Sequence, residues 1–481
     1  MRSEGSDRRM RRAGTASRAY AGAAGRGALL VVLLVGAVPP VLRTQPAQEP
    51  AWLEPYREPA ARLIGAALAD RFAWRRLAEL TDTIGHRLSG SPQLDRAIAW
   101  ALEEMQRDGL ENVHAEKVMV PRWVRGRERA TMVEPGPHAI AMLGLGDSIG
   151  TPTGGITADV LVVRHFAELA DKASHAKGRI VVVNTPFTTY DESVGLRTAG
   201  ASRAARYGAV AVLVRSVGPP GQRLPHTGVL VYAADVPKIP AAAIATEDAD
   251  RLQRLSDRGV RVVIHLEMEA HFDGEVPSAN VVGELRGTER PDEVVVVGGH
   301  LDSWDVGAGA SDDGGGCIVT WEALRLMKKL GLRPRRTVRV VLWTNEENGA
   351  RGALAYRDEH RHELSKHVAM LESDIGVFKP TGFGFTGTDR ARRQVRAIAS
   401  LLAGLGADHI GSVGGGADIG PSVEAGRIPA LSLEVDGPYF AIHHTEADTV
   451  DKIDPFEMAK CAAAVAVMTY VIADLPHRLG E

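Results

Sequence analysis

Cysteine is nearly absent, with two residues in a chain of 481. So few cannot make the disulfide framework that braces small secreted domains. Cys317 and Cys461 both lie in apolar, helix-like stretches (GGGCIVTWEAL and AKCAAAVAVMTYV) and read as small buried hydrophobes. No partner histidine stands out that would make either a nucleophile. Charge of one sign is not in excess: the formal net charge is −3, which gives no reason to expect nucleic acid as a partner. Long apolar runs are also rare. The one continuous run, residues 28–38 (ALLVVLLVGAV), is shorter than the about 20 residues that cross a bilayer. No comparable segment stands elsewhere, so the body of the chain reads as soluble.

What is present begins with a leader. An Arg-rich head, the apolar run and a Pro-Pro exit at Pro39-Pro40 describe an export signal over residues 1–44. An uncleaved N-terminal anchor is the alternative. No stable membrane span is expected in the mature form, and the protein is expected to be exported or secreted. The remaining length predicts two domains, or one large domain with an insertion. Residues 57–80 have helical spacing, with Leu63, Ile64, Leu68, Phe72 and Leu77 on one face. A polar loop, TDTIGHRLSGSP, follows, and Ser91-Pro92 opens a second helix. His86 in that loop is a lone histidine, and a surface or hydrogen-bonding role is favoured over a ligand role. Residues 45–149 are taken as the first part of the main domain and 276–481 as the rest. Between them, 150–275 alternates strands and helices without a cluster of His, Asp and Glu. It reads as an inserted lid, spacer or docking module, its histidines (His165, His175, His226) on a solvated surface.

The main domain is organised around residues 294–316, VVVVGGHLDSWDVGAGASDDGGG. Four valines predict a buried strand ending at Gly298-Gly299, with His300, Asp302 and Asp312 just beyond. Open α/β sheets place their sites there, at the carboxyl ends of parallel strands. Two more predicted strands end the same way. Residues 337–344 run into Asn345-Glu346-Glu347, and residues 367–371 into Glu372-Ser373-Asp374. The alternation of strands and helices predicts an α/β fold, a mostly parallel mixed sheet covered by helices on both faces.

Carboxylates at the ends of buried strands are costly unless they pair or bind a cation. His300, Asp312, Glu347, Asp374 and His444 together offer the His and carboxylate donors that two zinc ions need, with one carboxylate shared. From the chemistry alone either His443 or His444 fits the last position. Glu346 is free to be the general base. Asp302, two residues past His300, is placed to accept the hydrogen bond of the ring nitrogen that does not face the metal.

The motifs LTDTIGHRLSGSP, DGLENVHAEKVMVPRWVRG, GGHLDSWDVGAGASDDGGG, LWTNEENGARGA, ESDIG and HHTEADTVDKI resemble those of the di-zinc exopeptidases, the family that includes bacterial leucyl aminopeptidases and glutamate carboxypeptidase. The likeness runs from about residue 74 to the C-terminus, and 150–275 resembles the protease-associated domain inserted in such peptidases. It implies two zinc ions per chain, with Asp312 as the bridge and a cis bond to Asp313. It implies His300 and Asp374 on one ion, Glu347 and His444 on the other, Glu346 as base and Asp302 as the acid behind His300. Where glutamate carboxypeptidase has a Tyr before its last ligand this chain has His443, expected to donate to the oxyanion. The loop 411–420 matches the region shaping the substrate pocket, and Asp418 is a candidate for holding a free α-amino group. The resemblance implies a dipeptidase or carboxypeptidase acting on short peptides, and a homodimer. An aminopeptidase on longer peptides uses the same chemistry. The complete ligand set argues against a metal-free receptor scaffold and against a one-zinc glutaminyl cyclase.

Overall fold

Residues 294–297, the four valines, lie buried at the centre of the larger of two sheets. Their strand, Arg290–His300, runs parallel to Arg336–Trp343 on one side and His367–Glu372 on the other. A strand covered on both faces cannot alternate in polarity, so it appears in sequence as an unbroken apolar run. The structure is a computed structural model and describes residues 50–481. The signal or anchor expected over 1–44 lies outside the described residues.

The larger sheet has eight strands in the order Glu111–Val124, His271–Leu285, Arg336–Trp343, Arg290–His300, His367–Glu372, Ala430–Asp436, Lys379–Thr386, His409–Ile410. The four central strands are parallel, and antiparallel neighbours flank them. This is the mixed α/β architecture expected. One face buries Val295 and Val297 under helices Gly315–Leu330 and Pro455–Asp474. The other buries Val294 and Val296 with Tyr356, Leu364 and Ile419. Pro455–Asp474 is itself long and apolar enough to cross a membrane by length and composition, although no such second segment was expected. Its most apolar stretch is 83% buried inside the protein, which accounts for its hydropathy.

The helix expected over 57–80 is two helices, Arg57–Leu68 and Phe72–Thr83. The break has a local cause: the Asp70 carboxylate accepts the Phe72 N–H at 2.7 Å, competing with the helical bond. Ser91 caps the next helix, Pro92–Arg107, by accepting the Leu94 N–H at 3.1 Å.

The second sheet also has eight strands: His138–Ile140, Glu128–Glu134, Val263–Met268, Ile156–Val163, Ile180–Val183, Ala211–Arg215, Ala241–Ile244 and Met142–Gly144. It therefore starts at Glu128, ahead of the boundary expected at 150. Glu128–Glu134 pairs with Val263–Met268 and turns only Ala130 and Met132 inward, a pattern too short to read from sequence. Helix Tyr190–Ala205, on this module, approaches the strand ends of the larger sheet through Tyr190 and Arg197.

Candidate metal centre

Four parallel strands present their carboxyl ends side by side, and the candidate residues collect there. His300 is the last residue of its strand. Asp374 lies two residues past His367–Glu372, and Glu346 and Glu347 lie just past Arg336–Trp343. His444 follows the short helix Tyr439–Ile442. Two three-residue groups result, each with donor atoms within 4.8 Å of one another: His300, Asp312, Asp374 and Asp312, Glu347, His444.

Asp312 is common to both. Its Oδ1 lies 3.3 Å from His300 Nε2 and its Oδ2 3.1 Å from His444 Nε2. His300 Nε2 is 3.1 Å from Asp374 Oδ1, and His444 Nε2 is 3.2 Å from Glu347 Oε2. Asp312 Oδ2 is buried and makes no hydrogen bond despite these close neighbours. An acceptor left this way among imidazoles and carboxylates fits a cation between them. The donors are nitrogen and oxygen, the set that suits zinc.

The electrostatics point the same way. Burial alone would push the His300 and His444 imidazoles down, but Asp374 beside the first and Glu347 beside the second outweigh it and hold both well above the usual range. Burial acts against the Asp312 charge, yet the two histidines keep its carboxyl well below the usual range. Burial raises Glu346 strongly and pushes Glu347 up to about 7, with neighbouring carboxylates adding to both. The crowded carboxylates behind these shifts carry negative charge that a divalent cation would balance. Glu346 and Asp374 keep side-chain exposures of 25% and 27%, so the cluster opens to solvent on their side.

The surroundings fix each loop. The bond between Asp312 and Asp313 is cis, as the family resemblance implied. Asp448 accepts three successive N–H groups, from Ala310, Ser311 and Asp312, at 3.1, 2.7 and 3.1 Å. Asp313 accepts the N–H of His300 and of Gly316. This approach requires glycine at 299, where a Cβ would lie 2.1 Å from Asp313 Oδ2. Arg87, fully buried, donates to the carbonyls of Gly85, Leu301, Ala308 and Gly309 and so ties the loop after His300. Asn345, at φ +66°, turns the chain so that Glu346 and Glu347 both reach the cluster.

Asp302 acts differently from expectation. His300 Nδ1 lies 2.9 Å from the Asp302 backbone carbonyl, and its carboxylate is 4.0 Å away. The carboxylate instead accepts the N–H groups of Glu346 and Glu347, at 3.1 and 3.3 Å, and the Ser89 hydroxyl at 3.1 Å. The backbone oxygen sets the histidine tautomer, and the side chain holds the Glu346-Glu347 turn.

His443 is buried, and both ring nitrogens lack a hydrogen-bond partner. Its ring stacks on Tyr439 at 5.0 Å and lies 4.4 Å from that of His444. His226, expected on the surface, is buried 5.7 Å from His443, because its loop packs against the His444 loop. His86 belongs to neither three-residue group. Asp418 is buried, with Oδ2 unpartnered, and its N–H donates to Glu372. Burial and the Glu372 charge raise its carboxyl well above the usual range. Gly416 is needed beside them, since its Cβ would meet Glu372 at 2.1 Å. Tyr439 escaped the sequence reading: burial and the Asp312 and Asp374 carboxylates raise its phenol. So did Arg87 and Asp448, although a buried Arg within GHRLSGSP and an Asp four residues past His444 were visible signals. Cys317 and Cys461 are buried free thiols, as expected.

Comparison with known proteins agrees with this geometry. The family model for peptidase family M28 matches residues 280–469. Mouse carboxypeptidase Q is 48% identical over 428 residues, covering 88% of this chain and 91% of the relative. The crystal structure of a peptidase M28 precursor from Shewanella amazonensis superposes with a TM-score of 0.85 at 34% identity, over 89% of this chain and 98% of that one. A zinc aminopeptidase from Bacillus subtilis shares the fold at a TM-score of 0.63 and 20% identity, over 85% and 96%. The chain belongs to peptidase family M28 and is a metallopeptidase.

Proposed function

We propose that the chain is an exported di-zinc exopeptidase that hydrolyses dipeptides or short peptides. The observation that carries this reading is the sharing of Asp312 between two three-donor groups, with the half-open Glu346 carboxylate 4.0 Å from His300 Nε2. His300, Asp312 and Asp374 would hold one ion and Asp312, Glu347 and His444 the other. Zinc held there would supply Lewis acidity for the scissile carbonyl and the attacking water. Glu346 takes the proton of that water and passes it to the leaving amine, from the partly exposed side of the cluster. Asp302 keeps Glu346 and Glu347 aimed through their backbone N–H groups. His443, with unpartnered ring nitrogens, donates to the oxyanion. Asp418 takes the free α-amino group with its unpartnered oxygen.

The relatives named carboxypeptidase Q support action at a peptide's end. The apolar run at 28–38 behind an Arg-rich head supports export, and the family likeness supports a homodimer. The test is metal analysis together with a screen of the purified protein on dipeptides, N-blocked dipeptides and longer peptides, with Glu346→Ala as the blank. Two zinc per chain and cleavage confined to short free peptides are expected. Cleavage of N-blocked peptides would remove Asp418 from its role, and efficient trimming of long peptides would make the enzyme an aminopeptidase.

A further inference from the structure

The two three-residue groups have different surroundings. Among the described residues, the hydrogen bonds and ion pairs of His300 and Asp374 stay within the loops of the larger sheet. Those of the other group reach the inserted module. The Thr227 N–H donates to the His444 carbonyl at 3.0 Å, and the Thr227 carbonyl lies 3.3 Å from His444 Nδ1. Arg197 brings one guanidinium nitrogen to 3.2 Å from that same carbonyl and 3.3 Å from the same ring nitrogen. Tyr190, at the start of the Arg197 helix, stacks on Phe440 at 5.3 Å in the short helix that carries the chain into His444. The Glu347 loop is touched too: Asn348 donates to Asp147, and Trp304, whose backbone N–H donates to Glu347, packs so tightly on Gly146 that a Cβ there would lie 1.9 Å from the indole.

Arg197 is only 3% exposed and has no carboxylate partner among the described residues. A cation buried without an ion pair costs free energy, so it is not there for stability by charge pairing. It donates to the Thr227 carbonyl and to the Tyr190 hydroxyl, and the nitrogen on the carbonyl lies beside His444 Nδ1.

We propose that Arg197 and the Thr227 carbonyl are positioning groups for His444, and that the inserted module is the outer wall of one metal subsite and not of the other. The carbonyl accepts the Nδ1–H, which directs the lone pair of Nε2 toward Asp312 and Glu347; Arg197 holds the carbonyl in place. Outer partners of this kind are worth about 10- to 100-fold in metal affinity. The proposal rests on the di-zinc reading and sharpens it, because it assigns the module to a single ion.

The experiment is chelator competition for zinc on the full chain, comparing wild type with Arg197→Met, Arg197→Lys and Gly228→Ala. A Cβ at Gly228 would lie 2.2 Å from the Arg197 guanidinium and displace it from the other side. Arg197→Met and Gly228→Ala are expected to weaken one zinc equivalent by about 10- to 100-fold while the second binds as in wild type. Arg197→Lys is expected to recover part of the loss. For Arg197→Met the dipeptide KM stays unchanged and kcat returns with excess zinc. Two wild-type affinities in Arg197→Met would overturn the proposal, as would equal weakening of both ions, the result a general loss of structure gives. A wild-type chain binding no zinc would defeat the di-zinc reading as well and so be told apart.

Discussion

Replacing Asp302 with Asn separates two accounts of this buried carboxylate. The substitution keeps shape and removes one acceptor. Oδ1 now receives the Glu346 N–H, and Oδ2 receives the Glu347 N–H and the Ser89 hydroxyl. Whichever way the amide sits, an NH₂ faces one of the two backbone N–H groups. One buried donor is then left without a partner, at a cost of about 1–3 kcal/mol. The turn can relieve that cost only by moving Glu346 or Glu347. If the whole cost is expressed in their placement, kcat/KM falls by about 5- to 150-fold, at 1.4 kcal/mol per decade. The assay is dipeptide hydrolysis alongside zinc competition. The expected pattern is lower kcat and a weakened ion on the Glu347 and His444 side. Weakening confined to the ion on the His300 side would refute the reasoning, since only a carboxylate acting on the His300 ring would produce it.

Other outcomes follow from the same contacts. Glu346→Gln should keep two zinc per chain and lose about 10²- to 10⁴-fold in kcat; loss of metal instead would show Glu346 to be a ligand. Arg87→Met strands the carbonyls of Leu301, Ala308 and Gly309 in the interior and should cost about 4 kcal/mol in denaturant unfolding, above the ~0.5–3 kcal/mol of most single substitutions. A loss under about 1 kcal/mol would show that the loop holds itself. His367, remote from the metal centre, is lowered to about 4 by burial, so its ring is neutral in the native state. Its folded pKa lies below the ordinary value of 6.5, so the stability it contributes is present above pH 6.5 and is lost as pH falls toward 4. His367→Gln should flatten the stability profile over that window, and an unchanged slope would contradict it.

The parts of this molecule legible in its sequence are those set by burial on both faces. The 294–297 run and the strand ends at His300, Glu347 and Asp374 follow from one rule, that buried parallel strands are apolar throughout and become polar where they leave the sheet. Glu128–Glu134 was not legible, because only two of its seven residues turn inward. The break between Leu68 and Phe72 depends on which hydrogen bond Asp70 makes, which periodicity does not record. The site divides along the same line. Residue types pointed to the ligands, while the use of Asp302 depended on which of its oxygens faces His300, the backbone carbonyl at 2.9 Å or the carboxylate at 4.0 Å. His226 and Arg197 were out of reach for another reason: they approach the site from a module far from it in sequence, and nothing local marks them.

The double use of Asp312 bears on how the protein is filled. Each of its oxygens faces a different histidine, at 3.3 and 3.1 Å, so an ion bound at one group would also orient the carboxylate for an ion at the other. A chain holding one ion would therefore differ from both the empty and the filled protein. Loading order would then be a property of the fold: one donor group is built within a single sheet, and the other also needs Thr227 and Arg197 in place.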